Sequence, residues 1–117
     1  MLNYKLSKEH IYKFNSEGYL LCKNLFDKEV FSNIKKYIIE IENFKIVKKK
    51  WMKYYDHSLK NSKKLVLTRV ENFYDYHKKL KKILSNKVFK NEIKKLIDND
   101  VVLFKDKINL KYPGSKG

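Results

Sequence analysis

The sequence predicts an α+β chain, and three observations carry that expectation. Apolar residues recur every three to four positions in several stretches, and capping-type residues open or close most of them. Shorter stretches of apolar and β-branched residues lie between and read as strands. The 117 residues, 43% of them hydrophobic and 15% aromatic, suit one domain with a modest core.

Ser7 suits the N-cap of a short helix over about residues 8–16, with Ile11 and Phe14 inward and Gly18 ending it. "YLLCKNLF" from Tyr19 reads as a short strand and turn. Asp27 then caps a strongly amphipathic helix, on which Val30, Phe31, Ile34, Tyr37, Ile38 and Ile41 mark the inward face. "KKKWMKYYDH" is compatible with a short helix, "SLKNSKK" with a polar connection, and "KLVLTRV" with a strand. A helix is expected over about Phe73 to Leu84, and another after Ser85 and Asn86 carrying Val88, Phe89, Ile93, Leu96 and Ile97. Asp98, Asn99 and Asp100 break it, and a last strand starts at Val101. Three short strands so far apart in sequence make a narrow sheet, too small to cover every apolar helix face. The expectation is one incomplete domain over residues 1–117.

The formal net charge is +15, yet 27 of the 28 cationic side chains are lysine and Arg69 is the only arginine. Arginine supplies the forked contacts to bases and phosphates, so this balance argues against specific nucleic-acid recognition. The chain has no Ala and no Gln and abounds in Lys, Asn, Ile, Tyr and Phe, a bias that A/T-rich codons produce without selection for binding. A small basic helical protein that binds nucleic acid stays as the alternative, and it requires a steep salt dependence. No apolar run approaches the ~20 residues of a membrane span, so no membrane partner is expected. The N-terminal residues lack the apolar core of a secretory signal. A single cysteine, Cys22, excludes an internal disulfide and fits a reducing, cytoplasmic compartment.

Candidate chemistry is sparse. His10, His57 and His77 read as surface or boundary residues, and no pair of them with a carboxylate has spacing that predicts an iron site. Cys22, in an apolar stretch with no His nearby, reads as inert. There is no glycine-rich phosphate loop. Trp51, Tyr54 and Tyr55 read first as core, with stacking on a base or lining a pocket as the alternative. Arg69 and Glu71 in "TRVENF" either form a structural ion pair, the favoured reading, or face a substrate. The last strand is more informative. Lys105, Lys107, Asn109 and Lys111 share one face, and Asp106, Ile108 and Leu110 the other, continuing back to Phe104 and Val102. The favoured reading is an ordinary amphipathic strand with its lysines in water; alternatively, ammonium and amide groups in such a row hold a carboxylate or phosphate.

The order of these segments resembles phytanoyl-CoA dioxygenase-like proteins. "FNSEGYLLCKNLFDKEVFSNIKKYI" is similar to the opening of that family, "LTRVENF" to its middle, and "LFKDKINLKYPGSKG" to the strand and Pro-Gly turn before its metal-binding strand. The likeness runs from Lys8 to Gly117. It implies an Fe(II)- and 2-oxoglutarate-dependent oxygenase on a double-stranded β-helix (jelly-roll or cupin-like), with helices packed outside the sheet and a small-molecule substrate. It also implies that Lys105, Lys107 and Asn109 approach the co-substrate.

The family's His-x-Asp, second His and carboxylate-binding Arg would all follow Gly117. The resemblance therefore implies the N-terminal helical and first-strand portion of such a domain, truncated before the metal-binding strand. No catalytic residue and no metal ligand is assigned. No iron or 2-oxoglutarate is expected on this chain alone, and a complementing C-terminal chain is the partner it would need.

Overall fold

The structure, a computed structural model, describes residues 4–115. Among them are four helices and one three-stranded antiparallel sheet, an α+β arrangement as expected. In chain order these are α1 (Lys8–Glu17), α2 (Lys28–Glu42), β1 (Met52–His57), β2 (Leu65–Glu71), α3 (Lys78–Leu84), α4 (Lys87–Ile97) and β3 (Lys107–Asn109). The chain divides into two compact units: Met1–Lys35 with Lys82–Val102, and Lys36–Lys81 with Leu103–Gly117.

The first unit is helical. The Ser7 hydroxyl accepts from the His10 backbone N–H at 3.2 Å, while the His10 ring accepts from the Ser7 backbone N–H at 3.1 Å, a reciprocal cap on α1. Gly18, at φ 78°, closes the helix from the left-handed region, donating to the Phe14 carbonyl. Helix α1 packs on α4. The Leu6 backbone N–H donates to the Glu92 carboxylate at 2.7 Å, and the Phe26 and Phe89 rings meet with centroids 6.3 Å apart. Asn86 caps α4 by accepting from the Val88 N–H at 2.8 Å, and Asp98 ends it in the left-handed region. Asp27 caps α2 through the Val30 N–H at 2.8 Å.

Two expectations fail in this unit. Residues 19–26 form no strand, because Asn24 turns the chain at φ 56° and no neighbouring strand offers a ladder. Cys22 therefore lies in a loop, half-buried. Phe31 is more than half exposed, at the rim of a cleft with Leu25 and Phe26, with the Lys35 ammonium 4.9 Å from its ring centroid.

The second unit holds the sheet, in the order β1-β2-β3. "KKKWMKYYDH" is a strand and not a helix: its aromatic residues pair with β2, and the polar connection over residues 58–64 turns the hairpin. Trp51 packs on Phe44 and Tyr76 with centroids 4.4 and 5.3 Å away, but Tyr54 and Tyr55 are more than a third exposed and are not core. The helix expected from Phe73 starts at Lys78. Phe73 is buried, and its carbonyl accepts from the N–H groups of Tyr76 and His77, each at 2.9 Å, so a turn precedes α3. The His77 ring then caps α3 by accepting from the Leu80 N–H at 3.1 Å.

His77 is 6% exposed, so the surface reading of it was wrong. Its Nε2 lies 3.1 Å from the Glu40 carboxylate, and the Tyr37 and Phe44 rings flank it. The last strand is also shorter than expected. It forms only over Lys107–Asn109, where β2 is present to pair with it. Upstream, Val102 and Phe104 are 88% and 97% exposed instead of inward. The Lys116–Gly117 end of the Pro-Gly motif lies outside the described residues, as do Met1–Asn3. No described helix is long and apolar enough to cross a membrane.

Ile41 and Val70 are the fully buried large side chains among the described residues. Ile41→Ala is expected to lower unfolding free energy by about 2–5 kcal/mol, from the lost burial of its methyl groups plus the cavity left behind. Urea denaturation would read this as a lower midpoint at unchanged slope. A loss under ~1 kcal/mol would mean that the site repacks freely and is not core.

Candidate functional site

Strand register decides which side chains share a face. Arg69 lies opposite Tyr54 of β1 and Asn109 of β3, and Glu71 lies opposite Met52 and Lys107. Alternation puts these residues together on one face, and Lys53, Val70 and Ile108 on the other. Val70 is completely buried. Lys53 Nζ donates to the carbonyls of Glu42 at 2.6 Å and Phe44 at 3.1 Å, so this inner face meets the C-terminal end of α2. An ammonium suits the unpaired carbonyls and partial negative charge of a helix end.

The opposite face is polar and is organised by Glu71, only 3% exposed. Lys105 Nζ lies 3.1 Å from one carboxylate oxygen, and Arg69 Nε lies 3.0 Å from the other. The Arg69 contact is a charge contact without hydrogen-bond alignment. Tyr54 Oη reaches the same carboxylate at 3.5 Å, and the Arg69 guanidinium carbon sits 4.1 Å above the Tyr54 ring centroid. Burial pushes the Glu71 carboxyl up, but Lys105 first, then Arg69 and Lys107, outweigh it and hold the group below the ordinary carboxylate range.

Beside this cluster lies a cleft of about 410 Å³, lined among others by Tyr54, Asp56, Arg69, Lys107, Asn109 and Lys111. A register shift between Tyr54 and Tyr55 leaves Thr68 as an extra residue in the hairpin, and its hydroxyl donates to the Tyr54 carbonyl at 3.2 Å. Such a bulge bends the strand pair at the cleft wall. Three cations against the Asp56 carboxylate make the lining suited to an anion.

Of the three residues expected at a co-substrate, the structure brings Lys107 and Asn109 into the cleft lining. Lys105 is engaged with Glu71 instead. In "TRVENF", Arg69 pairs with Glu71, the favoured reading, and Arg69 also lines the cleft. Tyr54 and Tyr55 line the cleft, the alternative to the core reading that their aromatic density and an assumed helix favoured. The signal was available in a run of aromatic residues followed by a Ser-, Asn- and Lys-rich turn and a β-branched run of similar length.

Iron ligands are a separate matter. Among the described residues, no three His, Cys, Asp or Glu side chains come together to hold a metal ion. His10 caps α1, His57 bonds the Ser62 carbonyl at 2.5 Å, and His77 is enclosed beside Glu40. The described residues thus do not fit an iron centre, and no step through iron is drawn from them.

In sequence, the chain is similar to two dioxygenases and a hydroxylase. The chain is 34% identical over 111 residues to a 2-aminoethylphosphonate dioxygenase from the uncultured bacterium HF130_AEPn_1, covering 95% of the chain and 42% of that protein. It is 30% identical to dioxygenase lolE1 of Epichloe uncinata, across 96% of the chain and 43% of that protein. It is 22% identical to a methylphosphonate hydroxylase of Gimesia maris, across 99% of the chain and 44% of that enzyme. The relatives are dioxygenases and hydroxylases, and the chain spans less than half the length of each. No family model and no solved structure matches.

The Glu71 cluster yields a pH prediction. A carboxyl whose folded pKa is depressed contributes stability above its unfolded pKa of about 4.3, and loses it as pH falls through the folded value. Glu71→Gln is therefore expected to lower the thermal midpoint at pH 7, with the gap to the parent closing below about pH 4. A gap of constant size down to pH 3 would show that the charge of Glu71 is not what stabilises the fold.

Proposed function

We propose that this chain forms part of an Fe(II)- and 2-oxoglutarate-dependent dioxygenase domain of the phytanoyl-CoA dioxygenase-like type, oxidising a small molecule. In this reading the three strands belong to a double-stranded β-helix, with the helical segments outside it. The observation that carries the proposal is the near-complete coverage of the chain by dioxygenases and a hydroxylase, each more than twice as long as the chain. The cationic cleft adds chemical support, because both the proposed co-substrate and an anionic substrate need such a lining.

Within this proposal, the Lys107 ammonium and the Asn109 amide approach the co-substrate along the cleft wall that the anionic end of the substrate also uses, and Lys105 keeps the cluster in place through Glu71. Fe(II) with 2-oxoglutarate supplies the oxidising chemistry when bound, on ligands from outside the described residues. A complementing segment or chain is the partner that would provide them. The substrate class we favour is a small organophosphonate. Two of the three relatives bear phosphonate names, and a doubly charged anion matches the cleft. A reducing cytoplasmic setting is part of the same proposal, supported by the unpaired Cys22.

The test is a succinate-release assay on the protein expressed from its source DNA with the natural flanking sequence. Fe(II), 2-oxoglutarate and O2 are supplied with 2-aminoethylphosphonate or methylphosphonate. The proposal expects succinate formation that depends on iron and is stimulated by a phosphonate. No iron-dependent consumption of 2-oxoglutarate with any small-molecule substrate would refute it.

A further inference from the structure

We propose that Arg69 is an oxyanion-binding residue and that the cleft around it takes the phosphonate end of a small-molecule substrate. The word "substrate" rests on the reading above, but the binding itself needs neither iron nor 2-oxoglutarate.

The case begins with composition. In a chain that uses lysine at 27 of 28 cationic positions, the sole arginine stands at the wall of a cleft. A lysine could neutralise Glu71 equally well as a point charge, and Lys105 already does so at 3.1 Å. What a guanidinium adds is a planar fork of several N–H donors and the ability to stack on an aromatic ring. The stacking is in use at this position. The group lies over the Tyr54 ring at 4.1 Å, and its Nε lies 3.0 Å from the Glu71 carboxylate as a charge contact. Its orientation is therefore set from two sides before any ligand arrives. No described side chain or backbone group accepts a hydrogen bond from its terminal nitrogens.

Neighbouring groups complete a donor set. Asn109, the direct cross-strand partner of Arg69, contributes an amide, and Lys107 and Lys111 contribute ammonium groups to the same lining. Asp56 is the opposing carboxylate, so the lining carries three positive charges against one negative. A phosphonate presents three oxygens and up to two negative charges. It matches three kinds of donor and the surplus of two cations better than a carboxylate, which offers two oxygens and one charge. The arginine fork takes two phosphonate oxygens, and the third is left to Asn109 or a lysine.

The experiment is a chemical-shift titration, with no metal added, of the same protein used in the succinate assay at pH 8, using methylphosphonate in one arm and 2-oxoglutarate in the other. Methylphosphonate is expected to shift Arg69, Lys107 and Asn109 saturably. Arg69→Lys, which keeps the charge and removes the fork, should weaken that binding about tenfold. Asn109→Ala leaves the Arg69–Glu71 pair intact and should also weaken it. Lys23→Met, outside the cleft lining, should leave it unchanged. Parent-like affinity in Arg69→Lys would overturn the proposal, as would tighter binding of 2-oxoglutarate than of methylphosphonate at the same residues. If Arg69→Lys fails to fold by circular dichroism, Asn109→Ala decides, and parent-like affinity there overturns the proposal. Binding without succinate formation in the earlier assay would sink the dioxygenase reading alone. Succinate formation without binding at Arg69 would sink this one alone.

Discussion

Glu71 is a carboxylate at 3% exposure in the middle strand of a three-stranded sheet, and the polar face depends on how its charge is met. Desolvating a carboxylate costs several kcal/mol by usual measures unless partners stand close. Here Lys105 approaches from the segment leading into β3 and Arg69 from two residues along β2. The cluster therefore ties β3 to β2 beyond the few backbone bonds of a three-residue strand. It also fixes where Arg69 points, and so the character of the cleft beside it.

The same strands serve two purposes because side chains alternate. Val70 and Ile108 face inward, and Lys53 carries its ammonium to the carbonyl end of α2, anchoring that face to a helix. One residue to either side of Val70, Arg69 and Glu71 face the polar side with Tyr54, Lys107 and Asn109. A one-residue slip in register would exchange the two sets, burying the arginine and exposing the valine. The buried ion cluster and the fully buried Val70 thus hold the register from opposite faces.

How much of this was legible in the sequence depended on whether the signal was local. Helices α1, α2 and α4 were readable because Ser7, Asp27 and Asn86 cap them through bonds spanning two or three residues. The alternation of Lys107, Ile108, Asn109 and Leu110 was readable for the same reason. What escaped was decided by partners distant in sequence. β1 is a strand because β2 lies beside it, whereas residues 19–26 and 101–106 have strand-like composition but no neighbour to pair with. His77 is buried by Glu40, Tyr37 and Phe44, all more than thirty residues away, and nothing in "DYH" announces them. At the candidate site, periodicity put Lys107 and Asn109 on one face, and the register bears that shared face out. The tie of Lys105 to Glu71 escaped, since it is a contact across the sheet.

The sheet geometry rests on one physical requirement: the carboxylate that arranges the cationic face must be ionised. Carbon-detected titration of the Glu71 side-chain carboxyl, in the parent and in Lys105→Met, measures this directly. The charge cluster requires a parent midpoint below the ordinary value of about 4.3, moving upward when Lys105 is removed. A parent midpoint at or above that value, or one indifferent to Lys105, would contradict it.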